Sequence, residues 1–210
     1  LNATGASYVG LPDGVSGNST PVGNMLRIFG RPTTPGTYNF LAIANGECHA
    51  DTLKGIIIVS AQPTGGTLSS PEICIGDPAV LTLTGNTGII DHWEVSYDDF
   101  ATTPGTTIPG IGSSQTISGI DQSASYRVYS KADGSICPMA FSDGGVVKIN
   151  NLWEGKYTND WSNPVNWSNG QLPSSANCLG TVTIPKGITY DPTLSTTASV
   201  KNLNITANGH

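Results

Sequence analysis

The chain has 210 residues, of which only 11% are charged and 37% hydrophobic, with a formal net charge of −6. Nine basic against fifteen acidic residues, with no Lys/Arg run, argue against a nucleic-acid partner. No apolar stretch approaches the roughly 20 residues of a membrane-spanning helix, so the chain is not expected to span a membrane. Gly (26) and Pro (14) are abundant but stay below the share of about 25–30% that marks low complexity. Turn formers and β-branched residues dominate, and the helix formers Lys and Glu are scarce, which points to an all-β protein of many short strands.

The first segment, 1–61, opens with the turn cluster "LPDGVSG" (11–17) and an alternating strand "NMLRIFG" (24–30). "RPTTPGTYNFLAIANGEC" (31–48) is a Pro/Gly turn, then a strand with Tyr38, Phe40 and Ala42 on one face. "LKGIIIVSA" (53–61) is the last strand. Strands punctuated by turns in this way read as a β-sandwich. So short a segment is thin for a sandwich, and it reads as a domain lacking its opening strands. The chain starts at Leu1 with no signal-peptide pattern and reads as a piece of something longer.

The second segment, 62–150, contains "EICIGDPAVLTLTG" (72–85), a Cys-bearing strand, a turn and then Val80, Leu81 and Leu83. "IIDHWEVSYD" (89–98) carries Trp93 with Val95 and Tyr97 on its face by period two. "SQTISGI" (114–120) follows, and in "ASYRVYSKA" (124–132) Tyr126, Val128 and Ser130 alternate with Arg127 and Tyr129. "GGVVKI" (144–149) closes the domain. About seven strands with Cys74, Trp93 and Cys137 in series form an immunoglobulin-like signature. Cys137 stands well beyond Tyr126 rather than two residues after it, so a Cys74–Cys137 disulfide would join other strands than in antibodies. Such a link would constrain the unfolded chain by about 4 kcal/mol.

The third segment, 151–210, opens with "NLWEGKYTNDWSNPVNWSNGQLP" and continues with strands at "TVTIP" (181–185) and "VKNLNITANG" (200–209), stopping in mid-pattern. Trp161 and Trp167, with Tyr157, could stack on a sugar. In the other reading Trp153, Trp161 and Trp167 are buried anchors of a domain poor in large apolar residues, and Asn163 and Asn166 serve the turn backbone. The punctuation by Asn, Pro and Gly favours the anchors, with Trp161 and Trp167 at least half buried. The segment is then the truncated start of a Trp-rich β domain.

Catalysis finds little support. His49, His92 and His210 lie in three different segments, and His92 is expected to face solvent beside Trp93, itself a core residue. The acids sit in turn contexts such as "PDG", "GDP" and "SDGG", not as a pair flanking a cleft. Calcium is the cation these oxygen-rich turns would suit, yet no D-x-D-x-D-G loop is present, and no cofactor or dedicated metal site is expected. Four cysteines far apart, with no CxxC, argue against zinc and for an oxidising compartment.

Three motif series carry a resemblance. "LPDGVSG…LRIFGRPTTPGTYNFLAIANGEC…GIIIV" resembles a repeated sandwich domain of very large surface and adhesin-like proteins of Bacteroidetes. "EICIGDPAVLTLTGNTGIIDHWEVSYDDF…YRVYSKADGSIC" resembles a second module of the same proteins. "LWEGKYTNDWSNPVNWSNGQLPSSANCLGTVTIP…VKNLNI" is similar to a third, and the three occur in the family's common order across nearly the whole chain. The resemblance implies tandem Ig-like sandwiches, secretion through the type IX system, and display on the cell surface. It implies a non-catalytic structural or adhesive module for spacing, attachment or gliding. The alternative is a carbohydrate-binding module or the accessory stalk of a secreted enzyme. Implied partners are other modules of the same long chain, with surface glycans or secretion machinery beyond them.

The resemblance also bears on single residues. Cys48 commonly pairs with a cysteine of the opening strands and is expected to be unpaired in this chain. Cys178 departs from the pattern; its partner lies beyond residue 210 or it is free. "DTL" (51–53) fits a short O-glycosylation pattern of Bacteroidetes, with Thr52 as the acceptor. The sequons "NAT", "NST", "NWS" and "NIT" mean little outside a host that N-glycosylates.

Overall fold

A computed structural model describes residues 5–20, 25–46, 51–102, 104–134 and 137–206. Its regular elements are almost all strands. The chain divides into two units, one of 1–62 with 132–137, the other of 63–131 with 138–210.

In the first unit β1 (Gly5–Val9), β4 (Gly36–Asn45) and β5 (Thr52–Val59) form an antiparallel sheet in the order β1-β4-β5. β2 (Val15–Thr20) and β3 (Met25–Gly30) form a separate hairpin. The Phe40 ring covers Gly55, where a Cβ would meet it at 2.3 Å, so a side chain there would have to displace the ring. The layers enclose little core. Ala42 is buried, while Leu26, Ile28, Leu53, Ile56 and Ile58 remain exposed. Leu26, Ala42, Ala44 and Leu53 line an open cavity of about 300 Å³.

The second unit begins with a two-sheet sandwich. β6 (Thr67–Leu68), β8 (Ala79–Thr84) and β11 (Ser114–Ile117) make one sheet in the order β11-β8-β6. The other runs β10-β9-β12-β14-β7, from β7 (Glu72–Ile73), β9 (Ile89–Ser96), β10 (Thr106–Ile108), β12 (Ala124–Lys131) and β14 (Gly145–Ile149). β13 (Ala140–Phe141) pairs with β12. The first strand thus splits between the sheets: β6 pairs antiparallel with β8, and after Pro71 β7 pairs parallel with β14. This connectivity is immunoglobulin-like.

Period-two alternation builds the core. Ala79, Leu81 and Leu83 of β8 share one core with Ala124, Tyr126 and Val128 of β12 and with Trp93, Val147 and Ile149 of its flanking strands β9 and β14. Each fully buried large side chain stabilises the sandwich by about 1.5–3 kcal/mol. Tyr97 does not share the face of Trp93 and Val95, because β9 ends at Ser96 and Tyr97 turns to solvent. The outward row of β9 and β12 is also ordered. His92 stacks on Tyr129 at 4.6 Å and pairs with Asp91. The Arg127 guanidinium donates to Glu94 at 2.8 Å and lies over Phe100 at 4.0 Å. His92 is therefore half-buried rather than free in solvent.

β15 (Thr181–Ile184) and β16 (Asn202–Ile205) complete the unit as a parallel pair. No helix of the described residues is long and apolar enough to cross a membrane.

Candidate functional site: the tryptophan cluster and its junction

The tryptophans of the third segment lie together. Trp153 and Trp161 stack at 6.2 Å, and Trp167 stands edge-on to both, at 5.1 and 4.7 Å. Their exposures are 0%, 9% and 2%, so no indole face is open to a ligand. The polar ends are used internally. Trp153 Nε1 donates to the Tyr190 carbonyl at 2.8 Å, and Trp167 Nε1 to the Trp161 carbonyl at 3.0 Å. Val182 and Ile184 of β15 close the cluster. Tyr157, the third residue of the sugar-stacking reading, is 65% exposed and stands apart from this packing.

The residues between the tryptophans hold them in place. Asn163 caps a single 3-10 turn, Pro164–Asn166, accepting from the Val165 amide. Asn166 is fully buried and bonds at both ends of its amide. Its Oδ1 accepts from the Thr158 amide at 3.1 Å, and its Nδ2 donates to Thr158 Oγ1 and the Asp160 carbonyl. Gly155 explains the W-x-G spacing: at φ +53° a Cβ there would meet the Tyr190 carbonyl oxygen at 2.4 Å and Trp153 Nε1 at 2.7 Å.

The cluster is fastened to the sandwich at residues 149–151. Ser168 Oγ donates to the Ile149 carbonyl at 2.6 Å, accepts from the Ile149 amide, and meets Ser123 Oγ at 2.8 Å. Asn169 Nδ2 donates to Asn150 Oδ1 at 2.6 Å. Asn151, buried and left-handed at φ 54°, sets its Nδ2 within 3.0–3.1 Å of the carbonyls of Ser174, Asn177 and Thr181. Its Oδ1 accepts from the Ser174 amide. Leu152 belongs to the sandwich core, and Trp153, the next residue, to the tryptophan core. Sequence reasoning missed Ser123, Asn151, Ser168 and Asn169. The doubled Asn at 150–151, directly after the last sandwich strand, was the available signal.

The expected Cys74–Cys137 bridge is corrected here, and so is the expectation that Cys178 is unpaired. Cys74 is bonded to Cys178, with Cα atoms 5.3 Å apart. The reason is topological. β7 runs parallel to β14, with the Asn150 amide donating to the Ile73 carbonyl, so Cys74 sits where β14 leaves the sandwich. The loop that Asn151 collars brings Cys178 to the same place. Cys137 lies in the segment 132–137 of the first unit. Val128 stands two residues after Tyr126, where antibody domains place a cysteine, and it belongs with Leu81 to the apolar core of the sandwich. Cys48 falls outside the described residues.

Thr52 begins β5, is exposed, and its amide donates to Asp51 Oδ1 at 2.9 Å. Among the described residues no three His, Cys, Asp or Glu side chains gather as a metal site. Among the described residues the carboxylate that departs most from its ordinary range is Asp98, lowered to about 2 by hydrogen bonds from Ser96 and Thr102.

The crystal structure of the N-terminal four Ig domains of Dscam1 isoform 4.44 is similar to this chain at 17% identity and a TM-score of 0.37. The match covers 68% of this chain and 33% of that one, so this chain spans about a third of its length. No binding property transfers at that similarity. No protein-family model matches the chain, and no curated protein does.

Proposed function

We propose that this chain is a non-catalytic structural module of a secreted bacterial surface protein, working by spacing and display. The observation that carries the reading is the junction: a sandwich and a tryptophan-rich segment share residues 149–152 and one disulfide, and the two tryptophans that could have met a ligand, Trp161 and Trp167, are spent inside. A joint so fastened transmits position, which is what a spacer must do. The disulfide supports an oxidising, extracytoplasmic setting.

The motif series supplies the finer reading. It suggests a Bacteroidetes protein, export by the type IX system, and a cell-surface role in attachment or gliding by the whole molecule. Neighbouring modules of the same chain are the immediate partners, and surface glycans or secretion machinery the remote ones. The exposed Thr52 suits an O-glycan acceptor in such a host.

A glycan array probed with the intact chain tests the reading against a carbohydrate-binding module. The expected result is no binding above background. Robust binding that Tyr157→Ala abolishes, with the unfolding midpoint unchanged, would overturn it.

A further inference from the structure

The loop that carries Cys178 is built against its own conformational preferences. Asn177 to Gly180 form a tight turn, closed by the Gly180 amide on the Asn177 carbonyl at 2.8 Å, and the Thr181 amide donates to the Cys178 carbonyl. Both central residues are left-handed, Cys178 at φ 50° and Leu179 at φ 52°, and Gly180 follows at φ 75°. Turns with two left-handed centres favour Asn, Asp and Gly, because other side chains crowd the neighbouring carbonyl. Cysteine and leucine do not suit these two places.

The other left-handed side chains among the described residues are secured. Asn151 is hydrogen-bonded through both ends of its amide, Asp99 accepts from Ser125 Oγ at 2.8 Å, and Phe100 lies under the Arg127 guanidinium. Leu179 has no such hold, being 80% exposed. The Asn177 side chain does not cap the turn either. Two outside constraints therefore keep the turn left-handed. One is Asn151 Nδ2, which donates to the Asn177 and Thr181 carbonyls at the two ends of the turn. The other is the covalent bond from Cys178 to Cys74. Disfavoured backbone persists only where its surroundings over-determine it.

We propose that Cys74–Cys178 is an exchangeable disulfide, a site for reduction by an extracytoplasmic dithiol, and that its opening releases the 177–180 turn. A disulfide that holds a strained, reachable segment is among the more easily reduced. Cys74 and Cys178 are both half-buried, and Leu179 projects into solvent next to Cys178. The attacking thiolate forms a bond to Cys178 Sγ as the bond to Cys74 breaks. Cys74 leaves with the electron pair and takes up a proton. Cys178 Sγ lies 3.6 Å from the Asn150 carbonyl oxygen, which opposes a thiolate there and makes Cys74 the better leaving group. The second thiolate of the dithiol then attacks its own sulfur in the mixed disulfide and displaces Cys178, which is protonated in turn. The dithiol ends as a disulfide, and its two protons and two electrons reside on the protein's two thiols.

The test equilibrates the 210-residue chain with mixtures of reduced and oxidised dithiothreitol and counts alkylated Cys74 and Cys178 by mass. Leu179→Asn suits a left-handed backbone and removes strain without touching either sulfur. Its bond is expected to withstand a ratio of reduced to oxidised reagent roughly fivefold or more above that of the native chain. Leu179→Ala keeps the strain and should match the native chain. On reduction of the native chain, exchange of the Gly180 and Thr181 amides should quicken about tenfold or more, while β9, β12 and the tryptophan emission stay native. Equal midpoints for Leu179→Asn and the native chain overturn the proposal, since the turn then puts no strain on the bond. A shift shared by Leu179→Ala also overturns it, because the cause is then the lost side chain. So does reduction that leaves Gly180 and Thr181 protected, or that unfolds β9 and β12 with them.

Discussion

Asn151 holds more of the junction than any other side chain. It adopts a left-handed backbone that asparagine tolerates, and its amide serves three carbonyls and one N–H. Replacing it with Asp would turn a carboxylate oxygen toward those carbonyls, and Asn151→Asp is expected to cost about 2–4 kcal/mol, measured by urea unfolding. Tyr126 gives a prediction in pH. Burial pushes its phenol from 10.0 up to about 12. The unfolded chain therefore releases that proton first as pH rises, so the contribution is complete below pH 10 and lost as pH climbs through about 12. Alkaline unfolding monitored by circular dichroism should show this loss, and Tyr126→Phe should lack it. Asn163 and Asn166 were legible in the sequence because their partners are a few residues away. Asn151 was not, because its partners lie more than twenty residues on and no local pattern announces them.

Among the elements, the alternating strands were the legible ones. In β8 and β12 every second residue enters the core as the sequence predicts. Two-residue strands such as β7 leave no periodic signature, and its parallel pairing with β14 decided where Cys74 lies. That is why a Cys…Trp…Cys spacing suggested the wrong bridge, although Val128 at the antibody cysteine position marked the difference. Burial of the tryptophans was legible from their turn-rich surroundings; the parallel winding around them was not, since four-residue strands do not reveal their direction. Trp167→Ala is expected to destabilise the second unit by about 3–5 kcal/mol, with Trp161→Ala costing less because its edge reaches solvent. Gly155→Ala should cost a comparable amount through its clash with the Tyr190 carbonyl. Thermal unfolding followed by tryptophan emission measures all three.

Across the whole molecule, the second unit joins two kinds of β architecture without a linker between them. The Cys74–Cys178 bond closes a separation of 104 residues, for which loop entropy gives about 4.7 kcal/mol in the unfolded-state model. Reduction should therefore lower the denaturant midpoint of sandwich and third segment together. The sandwich and the third segment should behave as one body, and amide hydrogen exchange on the intact chain tests that most directly. The prediction is that 152–153 and 181–184 open with the same free energy as β9, β12 and β14, and that Asn151→Asp lowers all of these in step. Rapid exchange across 151–184 beside a protected sandwich, unaffected by Asn151→Asp, would contradict it and leave the tryptophan segment an independent, loosely attached module.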